Sequence, residues 1–342
     1  MSEPHVQPIG ERRIVFGPAG PALAALAFPG PVALLGSGRS LAAIDDAAFG
    51  GAAVHRFDGA RLHNPRETVD AAIALVDAHR CASVVAVGSS SAMDLGKAVR
   101  HARDVALGLV PTALGGAEMS RTFGVREGDR KAGGRLAAPP ANVVYDAALL
   151  ATLPPRELGS IGINGWAHTI EAAYARTPHV LGNVAAISAG RAFPPLLLRA
   201  ARERDAGVLE ALFEAAHLAG FALDVRSMGL HHAVCHVVGG LTGIPHGIVN
   251  AIVLPHAVRA NARLAPDAVA AVAAAFGIAD LAAEARRIAE AYALPRTLRE
   301  LGAPADLVER AIPRVLETPL MANNPVRPGE ADVREVVLAA FG

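Results

Sequence analysis

The change of texture at Leu153-Pro154-Pro155 constrains this chain more than any other feature. Before it, short apolar runs alternate with turn residues and helical stretches. Val32 to Leu35 stops at Gly36-Ser37-Gly38, Ser83 to Val87 at Gly88, Leu107 to Val110 at Pro111-Thr112, and Asn142 to Tyr145 at Asp146. Within Arg66 to His79, Val69, Ala72, Ile73 and Val76 recur at i, i+3, i+4 and i+7, the spacing of a helix that buries one face. Strands alternating with helices predict a parallel, doubly wound, Rossmann-like sheet whose ligands sit beyond the carboxyl ends of its strands. The proline pair can neither continue a helix nor sit in a central strand. After it come long Ala- and Leu-rich segments over 162–175, 184–201, 208–223, 227–239 and 265–294, which predict an all-helical second half. The expected division is an α/β nucleotide-binding domain over 1–153 and an all-α catalytic domain over 154–342.

A chain of 342 residues, 52% of them hydrophobic, has material for two cores. Thirty-two basic residues balance thirty-two acidic ones, so no charge excess draws the protein to nucleic acid or an anionic membrane. A small-molecule substrate is expected. Cys81 and Cys235, the two cysteines, lie inside apolar runs, as in a chain kept in a reducing compartment. The first residues lack a basic stretch followed by an apolar one, and no run of about eighteen uninterrupted apolar residues occurs, so a cytoplasmic enzyme without nucleic-acid or membrane partners is expected.

Two local patterns carry chemistry. Gly88-Ser89-Ser90-Ser91 joins a buried run to a helical segment containing Asp94 and Lys97. Backbone N–H groups at such a helix start can hold a diphosphate, although serines there can equally serve as helix caps and the G-x-G-x-x-G spacing is absent. The second pattern is a set of histidines in apolar, helical contexts. Asn164 and His168 are four apart, as are His232 and His236, and His246 follows ten residues later. Spacing of four puts each pair on one helix face. Each histidine alone reads as a hydrogen-bonded core residue; together they suit a divalent-metal site or a proton relay. His256 is a further candidate, as site member or as support.

The segments GSSSAMDLGKAV (88–99), PTALGGAEMS (111–120), GINGWAHTIEAAYA (162–175) and LHHAVCHVVGG…IPHGIVNAIVLPHAV (230–258) resemble, in order, the motifs of iron-containing alcohol dehydrogenases, and within them most nearly the maleylacetate reductases. The resemblance implies a nicotinamide cofactor, NADH or NADPH, and catalysis in a cleft between the two domains, and a homodimer of such chains is expected. It implies that Gly88, Ser89, Ser90, Ser91 and Asp94 meet the diphosphate, and that Pro111 and Thr112 lie by the ribose and nicotinamide. Gly36, Ser37, Arg39 and Asn64 complete the expected cofactor set, with Arg39 suited to a 2′-phosphate. The family's metal ligands, Asp, His, His and His, fall on Asn164, His168, His232 and His246. An amide in place of the carboxylate removes a charge and weakens the site for Fe or Zn, so a metal is expected to be dispensable.

The expected reaction is hydride transfer to maleylacetate or a related oxo acid, giving a 3-oxoadipate-type product. His236 is the expected proton donor, with His168, His232 and His246 stabilising the anion. Arg121 and Lys131, with Asn164, are expected to bind the substrate, and Arg126 and Arg130 lie in the same segment. The chain departs from the reductase pattern at Ala117, Ala233 and Pro245-His246-Gly247, which leaves open a divergent dehydrogenase acting on another alcohol or ketone. A sugar-phosphate cyclase-like lyase is the alternative from another class.

Overall fold

The computed structural model describes residues 5–9, 12–61, 64–127 and 130–342, with residues 5–9, 130 and 131 described by their backbone alone. Up to Thr152 the chain forms one unit. Its strands are β1 (His5–Ile9), β2 (Arg12–Phe16), β3 (Val32–Gly36), β4 (Val54–Phe57), β5 (Ser83–Gly88), β6 (Ala106–Pro111), β7 (Thr122–Glu127), β8 (Arg130–Arg135) and β9 (Asn142–Tyr145). Its helices are α1 (Ala19–Leu26), α2 (Gly38–Leu41), α3 (Arg66–Ala78), α4 (Ser90–Ala102) and α5 (Ala147–Ala151).

Seven strands form a sheet in the order β1-β2-β9-β6-β5-β3-β4, while β7 and β8 form a separate antiparallel ribbon. β1 runs antiparallel to β2, and the other five pairings of the sheet are parallel. Every residue of β3 and β5 is buried, because helices cover both faces of the sheet. Alternate side chains divide between the faces. Ala33, Leu35, Val84 and Ala86 pack against Val69, Val76, Met93 and Val99 of α3 and α4, whereas Val32, Leu34, Val85 and Val87 pack against Leu23 and Leu26 of α1. Burial of each valine, leucine or methionine among them contributes about 1.5–3 kcal/mol. From β3 the chain moves outward to β4, then returns to the other side of β3 for β5 and β6. The crevice at this reversal lies between the carboxyl ends of β3 and β5, where doubly wound sheets hold their ligands.

From Leu153 onward the second unit holds only helices among its described residues. They are α6 (Pro155–Tyr174), α7 (Val180–Ala200), α8 (Ala206–Arg226), α9 (Leu230–Thr242), α10 (His246–Leu264), α11 (Pro266–Phe276), α12 (Leu281–Ala291), α13 (Leu307–Glu317) and α14 (Glu330–Phe341). The proline pair starts α6 seven residues before the predicted segment, with Pro155 in the first turn, where its missing N–H costs nothing. The predicted segment 265–294 is two helices bent by 54°. Gly277, at φ 72°, closes α11, and the Asp280 carboxylate accepts from the N–H groups of Ala282 and Ala283 to open α12.

α6 runs through the core of this unit. Trp166 has no exposed surface, and its Nε1 donates to the Gly190 carbonyl at 3.1 Å. α8 is long and apolar enough to cross a membrane by composition, but 56% of its most apolar window is buried inside the unit, as in a core helix.

Candidate functional site

In the first unit the expected cofactor residues gather on both sides of the crevice. Gly36 pairs with Val87 at the end of β3, and Gly88 pairs with Pro111 at the end of β5. Gly88 sits at φ 146°, in backbone space that side chains rarely enter, and a Cβ there would lie 2.9 Å from that of Ala92. Its carbonyl accepts from Thr112 N at 2.9 Å, which draws the Pro111-Thr112 turn to the loop. Ser89 is the extended residue before α4, and Ser89 and Ser90 are exposed. Across the crevice, Ser37 Oγ accepts from Ser40 N and lies 3.0 Å from Ser40 Oγ, while Arg39 is exposed at the start of α2.

Asn64 and Asp94 point their polar groups into the protein. Asn64, 1% exposed, donates from Nδ2 to the Ser91 carbonyl at 2.6 Å, and its own carbonyl accepts from Arg126 N at 3.0 Å. It buttresses the loop from below. Asp94 pairs through Oδ1 with Lys97 Nζ at 2.9 Å and accepts from Gly124 N through Oδ2 at 3.0 Å. Lys97 has no exposed surface and donates also to the carbonyls of Ala117 and Thr122. Asp94 is thus a link between α4 and β7; the diphosphate contact that the motif implies would bring two negative groups together.

The same unit buries a carboxyl group that sequence reading passed over. Glu118, 1% exposed, accepts from Tyr145 OH at 2.8 Å, and burial pushes it up to about 7. Its place inside GGAEMS, between two apolar residues, was the available signal.

The backbones of the expected substrate cations Arg121 and Lys131 stand at opposite ends of the ribbon. Arg121 precedes β7, whereas Lys131 stands opposite Arg126 at the ribbon's other end. Five residues of strand separate the two ends by about 17 Å of backbone, at roughly 3.3 Å each. The side chains of Arg130 and Lys131 lie outside the described residues. Pro65 bridges to Arg126, so that end of the ribbon is tied to the segment that supports Ser91.

In the second unit the structure brings together Asn164, His168, His232, His236 and His246. α6 presents Asn164 and His168 one turn apart, α9 presents His232 and His236, and α10 begins at His246. The His168 and His232 rings stack at 4.4 Å between centroids, and those of His236 and His246 at 5.4 Å. His232 lies 6.0 Å from His236 and 6.1 Å from His246. His168 and His232 are buried, while His236 and His246 are half-buried. His256 stands apart from these rings; burial, with Arg286 and Arg259 beside it, lowers it to about 4.

Two members were missing from the sequence reading. Glu171, one turn beyond His168, is buried, and its Oε2 lies 2.6 Å from His232 Nδ1. His231 Nδ1 lies 3.2 Å from the same nitrogen. The signal for Glu171 was its spacing, i+7 from Asn164 and i+3 from His168, on one helix face. Burial drives His168 and His232 well below the ordinary imidazole value, aided by neighbouring histidines, so both are neutral near pH 7. Burial also lowers His231. It raises Glu171, against the pull of His231 and of the N–H groups of Gly229, His231 and His232.

This donor set fits a resident divalent cation poorly. The ligands implied by the resemblance are a neutral amide and three imidazoles, with no anion among them. Glu171, His231 and His232 have donor atoms within 4.8 Å of one another, but those atoms are occupied by hydrogen bonds within the group.

Comparison with known proteins agrees with both units. Residues 29–147 match the family described as iron-containing alcohol dehydrogenase, and residues 160–341 match the C-terminal part of that family. The chain belongs to the iron-containing alcohol dehydrogenase family and is a nicotinamide-dependent oxidoreductase. It is 35% identical to maleylacetate reductase of Burkholderia cepacia over 85% of this chain and 82% of that one. The solved structure of maleylacetate reductase from Agrobacterium tumefaciens, 28% identical, covers 100% of this chain and 99% of its own with a TM-score of 0.86. Iron-containing alcohol dehydrogenase from Corynebacterium glutamicum, 27% identical, covers 97% and 95% with a TM-score of 0.87.

Proposed function

We propose that the protein reduces maleylacetate, or a closely related unsaturated oxo acid, with NADH or NADPH. The first unit holds the dinucleotide at the crevice between β3 and β5. Hydride passes from nicotinamide C4 to the carbon–carbon double bond conjugated with the ketone, and a proton completes 3-oxoadipate. His236 delivers that proton, being half-buried on the exposed side of a cluster whose deeper members are neutral. His168 and His246 donate hydrogen bonds to the anion formed on the way.

The observation that carries this reading is the 35% identity to a maleylacetate reductase over most of both chains. The neutral amide at Asn164 supports a reaction without a required metal, and no step here uses one. Arg39, exposed beside Ser37 with no carboxylate at that turn, supports acceptance of NADPH alongside NADH.

Loss of reduced-nicotinamide absorbance tests the proposal directly, using purified protein with maleylacetate, simple aldehydes and ketones, each with and without chelator. Chelator-resistant oxidation that is fastest with maleylacetate is expected. Turnover confined to simple carbonyl compounds would replace the substrate, and turnover abolished by chelator and restored by Fe or Zn would overturn the metal-free reading.

A further inference from the structure

We propose that Glu171 is the positioning residue of the histidine cluster: it locks His232 in the Nδ1–H tautomer and obliges Asn164 to donate its amide to His232 Nε2. Only the kinetic consequence rests on the function proposed above; the proton arrangement stands on contacts alone.

The protons can be assigned in turn. His231 Nε2 lies 3.2 Å from the Asn250 carbonyl oxygen, which can only accept, so Nε2 carries the hydrogen. A neutral imidazole has one N–H, which leaves a lone pair on His231 Nδ1. That lone pair faces His232 Nδ1 at 3.2 Å, and two lone pairs would repel, so His232 Nδ1 is protonated. Glu171 Oε2, 2.6 Å away, as a carboxylate held by the N–H groups at the start of α9, takes the same hydrogen. Two neighbours from different helices therefore demand one tautomer. His232 Nε2 is left as a lone pair, and the Asn164 Oδ1 placed 3.1 Å from it would set acceptor against acceptor, so the Asn164 amide must be turned over to present its NH₂ group.

Glu171 is itself held. Its Oε1 accepts from His231 N at 2.8 Å in the first turn of α9, where the helix dipole favours a negative group. A Cβ on Gly229 would lie 3.2 Å from that oxygen and 2.7 Å from Asn324 Oδ1, so glycine keeps the approach open. Through this arrangement His232 is an acceptor and cannot supply the substrate's proton, which leaves that task to His236 one turn on. A glutamine at position 171 has the shape of glutamate but can offer N–H to Nδ1, which frees His232 to adopt the other tautomer.

Nitrogen NMR of the histidine rings in full-length protein without substrate reads this directly. In the wild type, His232 is expected to be protonated on Nδ1 and bare on Nε2; in Glu171→Gln the two forms mix or reverse. With maleylacetate, kcat of that variant is expected to fall about 10–100-fold, as when a supporting partner of an active-site histidine is lost, with KM for the nicotinamide nearly unchanged. Glu171→Asp should recover the wild-type tautomer in part. A wild-type ring protonated on Nε2 overturns the proposal, as does a folded Glu171→Gln with unchanged tautomer and kcat. Should Glu171→Gln fail to fold, the wild-type spectrum decides alone. Because the spectrum needs no substrate, a protein that does not reduce maleylacetate would refute the function and leave this result standing.

Discussion

The cofactor crevice and the histidine cluster are built on opposite principles. At Gly88 to Ser91 the useful groups are backbone N–H groups at a helix start, the flanking side chains are small, and Ser89 and Ser90 are exposed. Around His232 the useful groups are side chains, the deepest of them buried, and Glu171, His231 and His232 are bonded to one another. A main-chain site fixes conformation at a few positions and leaves residue identity free elsewhere. A buried side-chain network fixes the identity of every member, because a group left without its partner costs about 1–3 kcal/mol.

The sharpest way to break this contrast is His236→Ala. Loss of a general acid should lower kcat about 10²–10⁴-fold while cofactor affinity stays put. Equal losses in steady-state kinetics and in NADH titration would mean that the two regions do not divide the work. Next in size is Gly88→Val, which forces a β-branched residue into left-handed backbone at a cost of about 1–3 kcal/mol. Kd for the cofactor should rise roughly 5–150-fold by fluorescence titration, with kcat at saturation little changed.

Asn164→Asp attacks the cluster by one atom. The new carboxylate faces the His232 lone pair, an acceptor against an acceptor, so thermal stability should fall by about 2–8 °C. Zn²⁺ should restore it in the variant and leave the wild type unmoved; equal responses in calorimetry would show that the amide is no barrier to metal. Smallest of all, Ser90→Ala should change cofactor affinity by no more than about twofold, the range of surface substitutions. A tenfold loss would mean that the serine hydroxyl, not the backbone, makes the contact.

The sheet was legible because its central strands are continuous apolar runs closed by glycine or proline, and Val69, Ala72 and Val76 mark the helix face that covers them. The ribbon β7–β8 was not, since Thr122 to Arg135 is rich in glycine and charge and is held by Asp94 and Lys97 from another element. The histidines were visible by spacing and by motif. Glu171 was not, because an acidic residue on a helix ordinarily faces water, and only the approach of α9 turns it into the cap of that helix and the partner of His232. Arg121 and Lys131 are near in sequence, yet the ribbon holds their backbones at opposite ends.

Trp166 is the chain's one tryptophan, and it lies fully buried on α6 between Asn164 and His168, bonded to the Gly190 carbonyl. Its emission is therefore a private optical channel for the second unit. Blue-shifted light reports a sealed helical core two residues from His168, and melting of the first unit alone should pass unseen in that channel.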